Sequence, residues 1–270
     1  MRYQLKVELL KRPRLNMRWR YWRARRGDLV GSYDRLPVLV REHAPGGGFV
    51  DVGCMWGVNG AYAFLAEEVG ATRVVGLDVF GPTPEFTAER ERRGSDVEFV
   101  LGDVTNTATL DHVGPVDTVL CAGVLYHHPS PFDVLVALRA LCRRTLILRT
   151  STIPEVDGLP GAAVYWPLLD ESARQRWNLS SLGLDSQVGI TGPFDPAQGY
   201  GNWFWGLTPS CLEALVRTAG FEVVRRETEA FAQTLICKPV LPPFSHALPD
   251  TAKARQMAED VSRDGRARPH

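Results

Sequence analysis

Short apolar runs, each closing on an aspartate, constrain this chain more than any other feature. Gly48-Phe49-Val50-Asp51-Val52 is the first, Arg73 to Leu77 followed by Asp78 the second, and Val97 to Leu101 followed by Gly102-Asp103 the third. Segments of helical period separate them. That alternation predicts repeated βα units, and therefore a mostly parallel sheet with helices on both faces. A length of 270 residues with 44% hydrophobic content is enough for one sizeable core, and excludes a wholly disordered or collagen-like chain.

Helix signals fill the gaps. After the turn Gly53 to Gly57, Ala61, Phe64, Leu65 and Val69 share a face before Gly70. A charged helix is predicted around Pro84 to Arg93, a short one near Thr107 to His112, and a fourth strand over Thr118 to Ala122. Ser130, Pro131 and Asp133 suit a helix start, and Val134, Leu135, Leu138 and Leu141 give that helix its buried stripe. A fifth strand at Thr145 to Leu148 follows. Thr208-Pro209 opens a last helix carrying Leu212, Leu215, Val216 and Ala219, ahead of strands Phe221 to Val224 and Gln233 to Cys237. The expected fold is a Rossmann-like, seven-stranded α/β sheet.

In an open parallel sheet the carboxyl ends of the strands line the ligand crevice, so Asp51, Asp78 and Asp103 converge there. Gly53 and Gly57 let the first turn approach a ligand. Asp78, 21 residues beyond Gly57, stands where a carboxylate accepts ribose hydroxyls, and Asp103 where an adenine amino group would be met.

Val50 to Gly57, with Val75-Gly76-Leu77-Asp78 and Leu101-Gly102-Asp103-Val104, resembles the first three motifs of class I S-adenosylmethionine-dependent methyltransferases. Cys121 to Pro129 resembles the motif after the fourth strand. Asn202 to Ser210 is similar to the subgroup holding the tRNA wobble-uridine carboxymethyltransferases and many small-molecule methyltransferases. The resemblance implies S-adenosylmethionine as cofactor, contacted by Asp51, Gly53, Cys54, Met55, Gly57, Asp78, Val79, Asp103, Val104, Gly123 and Leu125. Met55 stands where the family usually has a glycine, and its side chain is expected to crowd a dinucleotide pyrophosphate more than a phosphate-free cofactor. Tyr126, His127 and His128 fall where an acceptor enters. A neutral histidine is a suitable base if that acceptor loses a proton, and Tyr126 is expected to shape the wall.

The expected product is a methylated small molecule of secondary metabolism, O-methylation favoured. Alternatives are a tRNA-modifying methyl- or carboxymethyltransferase and a non-catalytic binding protein on the same fold. Charge bears on that choice. The 31 basic and 31 acidic residues cancel, but residues 1 to 27 carry ten Lys or Arg against Glu8 alone. Residues 1–34 are therefore read as a basic arm, for which nucleic acid is a possible but not favoured partner. Residues 35–238 form the methyltransferase domain, with an aromatic lid over about 151–201 holding Tyr165, Trp166, Trp177, Tyr200, Trp203, Phe204 and Trp205; residues 239–270 form a tail. Scattered cysteines, the lack of a secretory signal and the lack of a long apolar run point to a cytoplasmic protein with no membrane partner and no metal.

Overall fold

The computed structural model describes residues 32–153, 155–172, 193–228 and 232–242. The basic arm, apart from its last residues, Trp177 of the lid and most of the tail lie outside the described residues.

Among the described residues nine strands form: β1 (Gly48–Val52), β2 (Arg73–Asp78), β3 (Glu98–Leu101), β4 (Val116–Ala122), β5 (Cys142–Ser151), β6 (Ala163–Tyr165), β7 (Trp205–Leu207), β8 (Phe221–Thr228) and β9 (Ala232–Pro239). Seven make one sheet in the order β3-β2-β1-β4-β5-β9-β8. β1 to β5 run parallel, while β9 is antiparallel to both β5 and β8. β6 and β7 pair separately. The α-helices of the described residues are α1 (Ser32–His43), α2 (Ala61–Glu68), α3 (Pro84–Arg93), α4 (Thr107–Val113), α5 (Pro131–Leu141) and α6 (Pro209–Thr218).

Strand alternation divides the core into two layers. Val50, Val52, Val75, Leu77, Val119 and Cys121 face α4, α5 and α6, meeting Leu110, Val134, Leu135, Leu138, Leu212 and Val216. Phe49, Leu120, Ile147 and Ile236 face the other way, onto Leu36 and Leu39 of α1, Ala63 and Phe64 of α2, and Phe86 of α3. Both faces are covered, which is why the central strands read as continuous apolar runs.

Several details depart from the sequence reading. α1 runs across the boundary expected at residues 34 and 35. The buried stripe of α2 is Ala63, Phe64 and Ala66 instead of one including Ala61, because this helix packs on α1 as well as on the sheet. β5 and β9 are longer than their apolar cores, since pairing on both edges carries polar residues into the ladder. Ser130 occupies the N-cap of α5 without capping it; its hydroxyl donates to Asp133 at 2.6 Å instead. Among the described residues no helix is long and apolar enough to cross a membrane, and no cluster of His, Cys, Asp and Glu is arranged to hold a metal.

Candidate functional site

The chain runs outward from β1 through β2 and β3, then returns to β4 on the opposite side of β1. Strand order reverses there, which opens a crevice at the carboxyl ends of the strands. A cavity of about 290 Å³ fills it. Of the residues expected from the sequence, Asp51, Gly53, Asp78, Val79, Asp103, Val104, Gly123, Tyr126, His127 and His128 line this cavity. Cys54, Met55, Gly57 and Leu125 do not. The Cys54 and Met55 side chains pack into the core on the α2 side, and Leu125 is fully buried against α5.

Met55 therefore does not crowd the crevice, contrary to the steric expectation. Two of the loop's own amides are used inside the protein, Gly53 N–H donating to Leu77 O and Met55 N–H to Asp78, and just beyond the loop Asn59 N–H donates to Met55 O and Gly60 N–H to Cys54 O. Gly53 itself sits at φ +81°, and an added Cβ would lie 2.3 Å from Val124 Cγ2. Gly53→Ala combines left-handed strain with overpacking, and is expected to cost about 2 to 5 kcal/mol of stability in a urea titration.

Three buried or half-buried carboxylates face one cavity, and each is held differently. Asp51 is 2% exposed, and its Oδ2 has no hydrogen-bond partner. Burial pushes its carboxyl up to about 7, and the charge of Asp78 adds to the rise. An orphaned carboxylate oxygen in such a site fits a ligand that brings a donor, above all a cation. Asp78 accepts from Met55 N–H at 2.7 Å and from Phe80 N–H at 2.9 Å, one bond to each oxygen, so each keeps a lone pair. Burial raises its carboxyl, and the Phe80, Met55 and Val79 amides oppose the rise.

Asp103 is more heavily engaged than the sequence suggested. Its Oδ1 accepts from the amide and hydroxyl of Thr105 at 2.8 and 2.7 Å, its Oδ2 accepts from the Tyr200 hydroxyl, and His128 Nε2 stands 3.7 Å away. The nearby His128 ring, with the hydrogen bonds from Tyr200 and Thr105, holds its carboxyl well below the usual carboxylate range. An adenine amino group would share an occupied acceptor here, which leaves the neighbouring Val104 as the freer part of that expectation.

The two histidines separate cleanly. His128 Nδ1 lies against the turn into α5, 3.0 Å from the Ser130 amide nitrogen and 2.9 Å from the Ser130 carbonyl oxygen, while Nε2 stands 3.4 Å from the Tyr200 hydroxyl and 3.7 Å from Asp103. Both nitrogens thus face protein groups, between the start of α5 and Asp103. His127 differs at its Nε2. Its Nδ1 lies 2.8 Å from the Asn202 carbonyl, an acceptor only, so Nδ1 carries the proton and Nε2 keeps its lone pair. Burial lowers its pKa, so the ring is neutral at pH 7. Tyr126 is buried between His127 and Trp203, with ring centroids 4.3 and 4.2 Å away, and acts as wall.

Trp56, Phe80, Tyr62 and Tyr200 also line the cavity and were not among the expected site residues. Trp56 carried a signal, as a large aromatic between the two loop glycines. Tyr200 carried none beyond its place in the aromatic stretch, because its partner Asp103 is 97 residues away. Of the expected lid aromatics, Trp166 and Phe204 are buried packing, and Tyr200 is the one lining the cavity among the described residues.

Comparison with known proteins fits this geometry. Residues 49–146 match the methyltransferase domain family. A tRNA U34 carboxymethyltransferase of Nautilia profundicola is 35% identical over 95 residues, which cover 34% of this chain and 29% of that one. The likeness therefore spans about a third of the length of the curated relatives it matches. The N-terminal domain of EvdMO1, solved with SAH bound, shares the fold at a TM-score of 0.52 with 21% identity, covering 78% of this chain and 81% of that one. The [4+2]-cyclase SpnF does so at 0.52 with 16% identity, covering 77% and 81%. Residues 49–146 thus match the methyltransferase domain family on a Rossmann-like sheet, and over about a third of its length the chain is similar to the tRNA U34 carboxymethyltransferases.

Proposed function

We propose that the chain transfers a methyl group from S-adenosylmethionine to a hydroxyl of a small molecule. The observation that carries this reading is His127, whose Nδ1 is fixed on Asn202 O while Nε2 is left free at the cavity wall. When bound, the cofactor supplies a methyl group already activated on a sulfonium, so the protein's work is positioning and proton removal.

Asp51 holds the cofactor's amino group through its orphaned Oδ2, and Asp78 accepts the ribose hydroxyls on its remaining lone pairs. Val79 and Val104 flank the base, and Gly123 lets the chain after β4 pass close to the sulfur. His127 Nε2 takes the hydroxyl proton. Burial keeps the ring uncharged, so it starts in the state a base needs.

Methyl transfer is favoured over carboxymethyl transfer on electrostatic grounds. A carboxylate on the transferred carbon needs a cation beside it, and the described lining residues include neither Lys nor Arg. The likeness to tRNA U34 carboxymethyltransferases supports a second reading, with a tRNA nucleoside as acceptor. Two measurements separate the readings. Turnover of S-adenosylmethionine with small hydroxylated acceptors, without RNA, supports the first. Binding of bulk tRNA that falls steeply with salt, together with turnover only when tRNA is present, replaces it with the second.

A further inference from the structure

Resting on the methyl-transfer reading above, we propose that the acceptor is a neutral, planar aromatic bearing the hydroxyl, and that Trp56 is the residue that selects it. Five rings touch in sequence across the cavity mouth. Phe80 meets Trp56 edge-on at 5.6 Å, Trp56 lies nearly parallel to His127 at 6.0 Å and 18°, and His127 leads on to Tyr126 and Trp203. Tyr126 is buried and His127 and Trp203 are half-buried, but Trp56 is 65% exposed and Phe80 is 42% exposed. Aromatic surface left in water at the rim of a cavity is a surface built to be covered by a ligand.

The chemistry of that ligand follows from what surrounds the ladder. A flat face suits Trp56, because stacking needs a planar partner. Charge narrows it further. Carboxylates are the charged groups of the described lining, so an anionic acceptor is repelled; Asp78 and Asp103 are already hydrogen-bonded, so a cation gains little from them. His127 stands next to Trp56 in the ladder with Nε2 free, so a ring stacked on Trp56 can bring its hydroxyl to the base.

The test is calorimetric titration of the protein saturated with S-adenosylhomocysteine, using 2-naphthol and its saturated counterpart decahydro-2-naphthol as probes. The expected result is 2-naphthol binding about tenfold or more tighter than the saturated ring, a preference lost in Trp56→Ala and kept in Trp56→Phe. S-adenosylhomocysteine affinity should stay within about twofold in both variants. Equal binding of the two probes, no binding of 2-naphthol, or a Trp56→Ala variant that loses cofactor affinity instead would each overturn the proposal. Failure of the wild type to bind S-adenosylhomocysteine removes the methyl-transfer reading, and this proposal with it.

Discussion

Asp51→Asn is expected to stabilise the ligand-free protein at pH 8 while weakening S-adenosylhomocysteine by about tenfold to a hundredfold, the worth of one charged hydrogen bond. Opposite signs from one substitution follow from a carboxylate that is buried for a ligand and not for the fold. Its folded pKa is about 7, against an ordinary value of 3.8. A carboxyl raised in this way binds its proton more tightly when folded. Stability therefore falls as pH rises from about 4 to about 7, by a total on the order of 4 kcal/mol, and is flat above that. The variant lacks this loss, so its melting temperature should exceed that of wild type at pH 8, with the gap narrowing as the pH is lowered toward 4. Binding adds a second signature. An ammonium pairs with ionised Asp51, so affinity should drop as pH falls below about 7, and calorimetry in two buffers of different ionisation enthalpy should register a released proton. A pH-independent affinity, or a variant no more stable than wild type at pH 8, would separate Asp51 from the amino group.

His127→Ala should lower kcat toward a hydroxyl acceptor by about 10² to 10⁴, with S-adenosylhomocysteine affinity changed by little. Desolvation favours the neutral ring, so the rising limb of the wild-type kcat profile should lie below pH 6.5, with a plateau above it. Asn202 contributes through its backbone carbonyl, so substituting its side chain should not move that limb unless the turn it holds is lost. An unchanged kcat in His127→Ala would mean that the acceptor does not need a base, as for an amine that is already neutral.

Both predictions rest on residues legible from the sequence alone, because strand ends can be read from local pattern. The apolar runs placed β1 to β4 within about two residues, and an open parallel sheet sends whatever follows each strand to one edge. Distinguishing His127 from His128 was not legible. The two are adjacent in the chain, and what separates them is the partner each finds: a carbonyl 75 residues away for one, and a carboxylate and a helix start for the other. The loading of Asp103 was hidden for the same reason, since Tyr200 lies 97 residues further along the chain. Met55 was misjudged because its place in the loop was known and the direction of its side chain was not. The loop turns it inward beneath the cavity, while Trp56, one residue on, stays at the mouth.

In the proposed binding mode the methionine and sulfur of the cofactor lie at Asp51, Gly123 and His127 and its adenine at Val79 and Val104, all of them residues of the cavity wall. A crystal structure of the complex with S-adenosylhomocysteine tests it most directly. The predicted result is the amino group on Asp51 Oδ2, the ribose on Asp78 and the sulfur on the side of His127 Nε2, with Trp56 left open beside it. A ligand lying in the reverse sense, or with its sulfur shielded from His127, would contradict it.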